Sequence, residues 1–290
     1  MIEAFIIQVL VTGGVYALLA VGFALIFGVA RMINLAHTAF MMLAAYAMIF
    51  CTSQLGLNPI LSVLLSIVVT TLIGILSYKL FIDRIREHEV TVLLITLALA
   101  MFFQECMLLV FGTHFRGVPP LIAGYWEIVG VKVTNEHLLT IGIVLVVLLC
   151  IWILLSKTKL GIAIRATSQD TEVAGLVGIN VSTVLLSTMG IAAALAAIAG
   201  VVVAPIWTVY PFMWMSPLVT IMAIIVLGGL GSVNGSVIGA FIIAFVQVLV
   251  VFALPMGAFL KEAIALLVMV IILVVRPEGL FGIVFEEERL

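Results

Sequence analysis

Charge is scarce in this chain. Its 290 residues include 12 basic and 14 acidic side chains, or 9%, where an ordinary soluble domain has about 25%. Without a polar shell, the 66% of residues that are apolar cannot be hidden from water, which excludes a soluble enzyme and a disordered chain. A nucleic-acid binder is excluded too, because it needs a basic face and the net charge here is −2. Cysteine is nearly absent. Cys51, Cys106 and Cys150 stand apart in apolar surroundings with no C-x-x-C pair, and they read as small core hydrophobes. Catalytic constellations are missing as well. His88-Glu89 opens like a zinc-protease motif, but position 92 is Val, and no Gly is followed by Lys, so there is no phosphate-cradling P-loop.

What the chain has is long uncharged runs. Ala4–Ala30, Met32–Tyr78, Leu138–Ser156 and Val173–Leu260 carry no Lys, Arg, Asp or Glu. A helix crosses about 30 Å of hydrocarbon in about 20 residues, so the last run must fold back several times. Only helices and closed barrels satisfy their backbone polar groups in lipid, and continuous apolar runs select helices. The sequence thus predicts an all-α polytopic membrane protein. Its spans lie near 5–29, 39–51, 60–80, 90–111, 138–156, 183–206, 217–231, 236–254 and 262–276, making eight or nine crossings, some short or broken. Met1-Ile2-Glu3 has no basic region and no cleavage site follows before Arg31, so the first span reads as retained.

Basic residues in short loops set the orientation. Lys79, Arg84 and Arg86 near 83–89, and Lys157, Lys159 and Arg165 in 157–182, put those loops in the cytoplasm with Arg31, Arg276 and the acidic tail Glu286–Glu288. The segment 112–137, with Tyr125 and Trp126, faces outward, as do Trp207, Tyr210 and Trp214. Gly190–Gly200, reading GIAAALAAIAG, predicts close helix packing.

Two places interrupt the helical pattern at membrane depth. The first is Arg31–Thr38; the second runs from Pro205 through Pro211 and Pro217 to Ser236. Irregular backbone there must be buried in protein or line a watery cavity, and transporters place solute sites beside such breaks at matching positions in two halves. The chain accordingly reads as two pseudo-repeated halves. Asn34 and His37, three apart, share a helix face. They either cap a broken helix and bond to a neighbouring span or touch a transported solute. Thr38 is a candidate cap for the next helix and completes the pathway set. Glu105, two-thirds along the fourth span, should be paired, protonated or near the outer surface, because an ionised carboxylate at the bilayer centre costs about 3 kcal/mol.

The loop KTKLGIAIRATSQDTEVAGLVGINVS, residues 157–182, is the longest on the inner side. Thr167-x-x-Asp170 has the form of a capping box, and Asp170 and Glu172 suit a helix N-terminus and Gly178 its end. Val173, Leu176 and Val177 form one apolar stripe. A helix of about ten residues outside the bilayer, greasy on one side, would meet either a groove on a partner or the lipid surface.

GIAIRATSQDTEVAGLVGIN resembles the coupling loop of ABC-transporter permeases of the LivH-like branch that serves branched-chain amino acids. So do GGVYALLAVGFALIFGVARMINLAHTAFMMLAAY, IVLGGLGSVNGSVIGAFI and VVRPEGLFG, in the family's order across nearly the whole chain. The resemblance implies one permease domain over 1–290 with its coupling loop at 157–182, in the bacterial plasma membrane. It also implies several partners: a second permease subunit (a paralogue or a second copy), two cytoplasmic ATPase subunits, an extracytoplasmic binding protein and membrane lipid, with no nucleic acid. ATP and Mg²⁺ would sit on the ATPases and no cofactor on this chain. Carried over by matching positions, Arg165, Asp170, Glu172, Ala174 and Gly178 are assigned to coupling, and Asn34 and His37 to the pathway; Leu176 joins the coupling set from the apolar stripe, and Thr38 joins the pathway set as the neighbour of His37. Two positions depart from the family pattern: Ile162 stands where a basic residue is usual, and Thr38 where Gly is usual. The solute implied is leucine, isoleucine or valine. Related importers of urea or other small solutes share the signatures, and an ion-coupled secondary transporter and a channel are the rival readings.

Overall fold

The computed structural model describes residues 2–86, 88–128, 131–276 and 279–281, so the expectation for Glu286–Glu288 lies outside the described residues. Helix α1 (Ile2–Ala30) is followed by α2 (His37–Ile49), which runs on through a π-helical turn at Phe50–Gln54. Next come α3 (Pro59–Ser77), with a π-helical turn at Tyr78–Ile82, and α4 (Glu89–Phe111). A β-hairpin follows, β1 (Tyr125–Ile128) antiparallel to β2 (Val131–Thr134). Then come α5 (Asn135–Lys157), α6 (Lys159–Gln169), α7 (Thr171–Leu176), α8 (Val181–Val203), α9 (Met215–Gly228), α10 (Val233–Ala253) and α11 (Gly257–Val275). Seven of these are long and apolar enough to cross a membrane, and α2 and α9 are shorter. The hairpin is a small exception to the all-α expectation, set in the outer segment. There Trp126 and Lys132 lie on paired strands and the Lys132 ammonium sits 4.9 Å from the Tyr125 ring centroid.

Local chemistry explains where helices begin. Asn58 accepts from the Ile60 N–H ahead of Pro59, which needs no partner for a missing N–H; Asn180 accepts from Thr183 N–H; Ser232 accepts from Gly235 N–H. Thr38 does not cap α2. It lies inside that helix, fully buried, and no side chain caps the Ala36 end.

The breaks turn out to be re-entrant segments. The Arg31 side chain donates to the Ser168 carbonyl of α6 at 3.2 Å, so the foot of α1 lies on the α6–α7 side. Yet six residues later His37 meets the carbonyl of Leu19, eleven residues back along α1, which is about 16 Å up the helix. Thus 31–36 climbs back into the membrane, with Arg31 at φ 52°, and α2 starts midway. The second half repeats the device upside down. After α8 reaches the opposite face, Val209 pairs with Arg116 through two backbone bonds of 2.9 Å, and the chain then dips until Trp214 meets Gln104 within α4. There α9 starts and runs back toward the α6–α7 side, where Gly231 touches Gly28. Trp214, expected at the outer surface, is therefore a buried residue within the bilayer's depth.

Helices α1–α4 and α8–α11 accordingly run in opposite senses, with α5–α7 as the link. The packing agrees: α1 lies against α8 and α10, while α8 lies against α1 and α3. The predicted halves exist, and they are inverted relative to one another. The small-residue stretch of α8 makes the centre possible. A Cβ on Gly200 would stand 2.1 Å from the Met41 carbonyl oxygen of α2, so this crossing excludes every side chain.

Candidate functional site

The sequence points to three places: the elbow α6–α7, the first re-entrant segment and the second one.

The elbow is built by caps. Thr158 ends α5 and starts α6, its hydroxyl donating to the Leu154 carbonyl and accepting from Gly161 N–H. The capping box expected from Thr167 does not form. Thr167 is buried inside α6, and Asp170 itself caps α7, accepting from the N–H groups of Glu172 and Val173 at 2.9 Å each. The expected helix of about ten residues is thus shortened to the six-residue α7, and the eleven-residue α6, which the sequence reading did not include, precedes it. The α7 C-terminus closes as a Schellman motif, with Ile179 N–H on the Ala174 carbonyl and Gly178 N–H on that of Gly175. Gly178 stands at φ +89°, where a Cβ is strained.

This framework sorts the coupling candidates. Asp170 and Gly178 shape the elbow, and Ala174 is its buried side. Leu176 is 86% exposed and Val177 71%, with Val173 and Glu172 also on the surface, so the stripe read from the sequence faces away from the protein. Arg165 is elsewhere. It lies on α6 at a cavity of about 770 Å³ between α1, α5 and the foot of α10, whose walls include Trp152, Leu148, Val237 and Asn234.

The first re-entrant segment is sealed. Asn34, His37 and Thr38 are all buried. Asn34 Oδ1 accepts from Ala36 N–H at 3.0 Å, and His37 Nε2 lies 3.0 Å from the Leu19 carbonyl. The three residues come together, but among the chain's own helices rather than along a cavity wall. His37 Nδ1 and Thr38 Oγ1 have no hydrogen-bond partner among the described residues.

The second re-entrant segment is tied to both flanking helices. Trp214 Nε1 donates to Gln104 Oε1 on α4 at 2.9 Å, and the Ser216 hydroxyl bonds to Glu262 on α11. Gln247 joins Tyr16 of α1, at 3.0 Å, to Thr220 of α9. None of Trp214, Gln104, Ser216 and Gln247 was singled out from the sequence for a site. The signal available was an amide or indole inside an apolar span, which needs a partner there.

Inverted halves, each with a helix begun at mid-membrane, and an elbow with an exposed apolar surface are the architecture of a multi-pass membrane transport subunit. The chain belongs to the family described as branched-chain amino acid transport system, permease component, whose model matches residues 5–273. Relatives include the high-affinity branched-chain amino acid transport system permease protein LivH of Escherichia coli K12. It is 26% identical over 285 residues, covering 93% of this chain and 92% of that protein. BraD, the permease protein of the corresponding system in Pseudomonas aeruginosa, is 26% identical over 288 residues, covering 94% and 93%. A probable LivH of Methanocaldococcus jannaschii is also 26% identical, covering 92% and 88%. Among solved structures, PsaBC of Streptococcus pneumoniae in complex with Fab superposes with a TM-score of 0.55 at 16% identity, covering 96% of this chain and 97% of that one, a likeness of fold.

Proposed function

We propose that this permease forms part of the path by which an ABC importer carries leucine, isoleucine or valine. Two cytoplasmic ATPases would drive it, through α7. The whole chain acts as one permease domain, with 157–182 as its coupling loop. A second permease subunit completes the membrane part, a binding protein delivers solute from outside, and ATP and Mg²⁺ reside on the ATPases.

The supporting observation is the exposed Val173–Leu176–Val177 surface on a helix capped at both ends. Three adjacent apolar side chains in water are unfavourable unless a groove covers them, each worth roughly 1.5–3 kcal/mol when buried. Because Asp170 and the Schellman turn leave α7 little freedom relative to α6 and α8, a push on α7 reaches the membrane helices. ATP binding then biases a two-state element by its differential contacts. Glu172 lies on the same surface and would meet a basic rim. Ile162, also exposed on α6, adds apolar area where a cation is usual in the family. Within the membrane, Asn34, His37 and Thr38 would bear on the path by fixing where α2 begins.

Leu176→Glu tests this. Uptake of leucine and ATP hydrolysis stimulated by the loaded binding protein should both fall more than tenfold, with the chain still inserted and folded. Wild-type values for both would remove α7 from the coupling role.

A further inference from the structure

Glu105 is a charged side chain in an unusual place. It is exposed on α4 although Gln104, beside it, is buried. The outer end of α4 is marked by Arg116, whose guanidinium donates to the Phe111 carbonyl at 2.9 Å. Glu105 is six residues, about 9 Å, deeper than Phe111. A carboxylate at that depth is unfavourable against hydrocarbon, so such residues face a water-filled path or a partner group.

Its hydrogen bonding has a direction. The Trp214 indole N–H can only donate, and it donates to Gln104 Oε1. That fixes the amide, so Gln104 Nε2 points at Glu105 and donates to Oε1 at 3.1 Å. The chain of donors ends on the carboxyl group of Glu105. Glu105 Oε2 has no hydrogen-bond partner among the described residues, and the one ion pair among them, Asp83–Arg86, is elsewhere. On either side of Trp214, Phe212 and Met215 present apolar surface, 42% and 44% exposed.

We infer that Glu105 receives the ammonium group of an amino-acid solute in the outer half of the membrane path, with the Trp214–Gln104 pair as its positioning residues. This rests on the reading above that the chain carries such solutes. A single carboxylate suits an ammonium better than a metal ion, which wants several oxygen ligands, and no group of three or more metal-binding side chains exists among the described residues. The apolar side chains on the same exposed face of α4, Met101, Phe102 and Leu109, suit an aliphatic solute, and the carboxylate rejects analogues of the same shape that lack the amine.

The test uses the complete transporter, with its partner chains, in vesicles containing ATP and supplied with leucine-loaded binding protein. Glu105→Gln keeps the shape and removes the charge. Leucine uptake should fall at least tenfold while stimulated ATP hydrolysis stays within twofold of wild type, and Glu105→Asp should recover part of the uptake. In a background with Cys51, Cys106 and Cys150 replaced, Glu105→Cys should react with a charged, membrane-impermeant thiol reagent added outside. Wild-type uptake by Glu105→Gln overturns the inference, as does equal loss of uptake and hydrolysis in both the Gln and Asp variants, or an unreactive thiol. Wild-type vesicles that import no amino acid overturn the wider reading and this one with it. Normal wild-type import with an unimpaired Glu105→Gln overturns this one alone.

Discussion

The two re-entrant segments are the same topological device put to different ends. In the first half, 31–36 climbs beside α1 from an exposed Arg31, and its polar candidates are enclosed: Asn34 and His37 bond to backbone, Thr38 Oγ1 has no partner among the described residues, and none of the three reaches the surface. In the second half, 204–214 dips between α4 and α11, bonds to Gln104 on one side and leads through Ser216 to Glu262 on the other, and leaves Phe212 and Met215 exposed. Irregular backbone in a membrane is permitted inside protein or beside water; the first segment buries its polar candidates, while the second keeps Thr208 and Phe212 exposed. The sealed segment fixes geometry; the open one is available for chemistry.

Three substitutions would sharpen or break that contrast. The largest effect is expected from Gly200→Leu. Its side chain would have to displace backbone of α2 just beyond the sealed segment, so no monodisperse protein should be recovered by size-exclusion chromatography in detergent. His37→Ala comes next. It removes the imidazole's bond to the Leu19 carbonyl, which keeps its helical partner, and opens a void, costing about 2–4 kcal/mol, seen as a lowered thermal unfolding midpoint with uptake per folded molecule reduced by less than twofold. Trp214→Phe is expected to cost least in stability, about 1–2 kcal/mol for the unsatisfied Gln104 oxygen, yet to lower uptake several-fold because Glu105 loses its orientation. If His37→Ala impaired uptake more than Trp214→Phe at equal folded amounts, the division between the halves would be wrong.

Much of the architecture was legible because bilayer physics leaves few choices. Uncharged runs give helices, and the polar or Gly/Pro interruptions at 31–38 and 205–236 gave both breaks. The elbow's outline was readable from Asp170, the Val173–Leu176–Val177 spacing and Gly178, since caps act over three or four residues. What escaped depends on contacts far apart in the chain. Thr167 and Asp170 both look like caps locally, and only the packing of α6, which buries Thr167, decides between them. Trp214 reads as an interfacial aromatic until Gln104, 110 residues away, supplies a partner. The inversion of the halves, by contrast, follows from the charges, because Arg31 inside and Trp207 outside give the first span and the span near 183–206 opposite directions.

The central position of α1 has a consequence for how the protein is made. In its membrane-spanning window 89% of residues are buried in the finished structure, chiefly against α8 and α10. Those neighbours begin at Val181 and Val233, roughly 150 and 200 residues downstream of its end. At about 5–20 residues per second of synthesis, α1 waits on the order of ten seconds or more for its permanent surroundings. During that interval the surface α1 later gives to α8 and α10 is held only by lipid or by the insertion machinery, so ribosome stalling between α7 and α10 should leave an inserted but protease-sensitive intermediate.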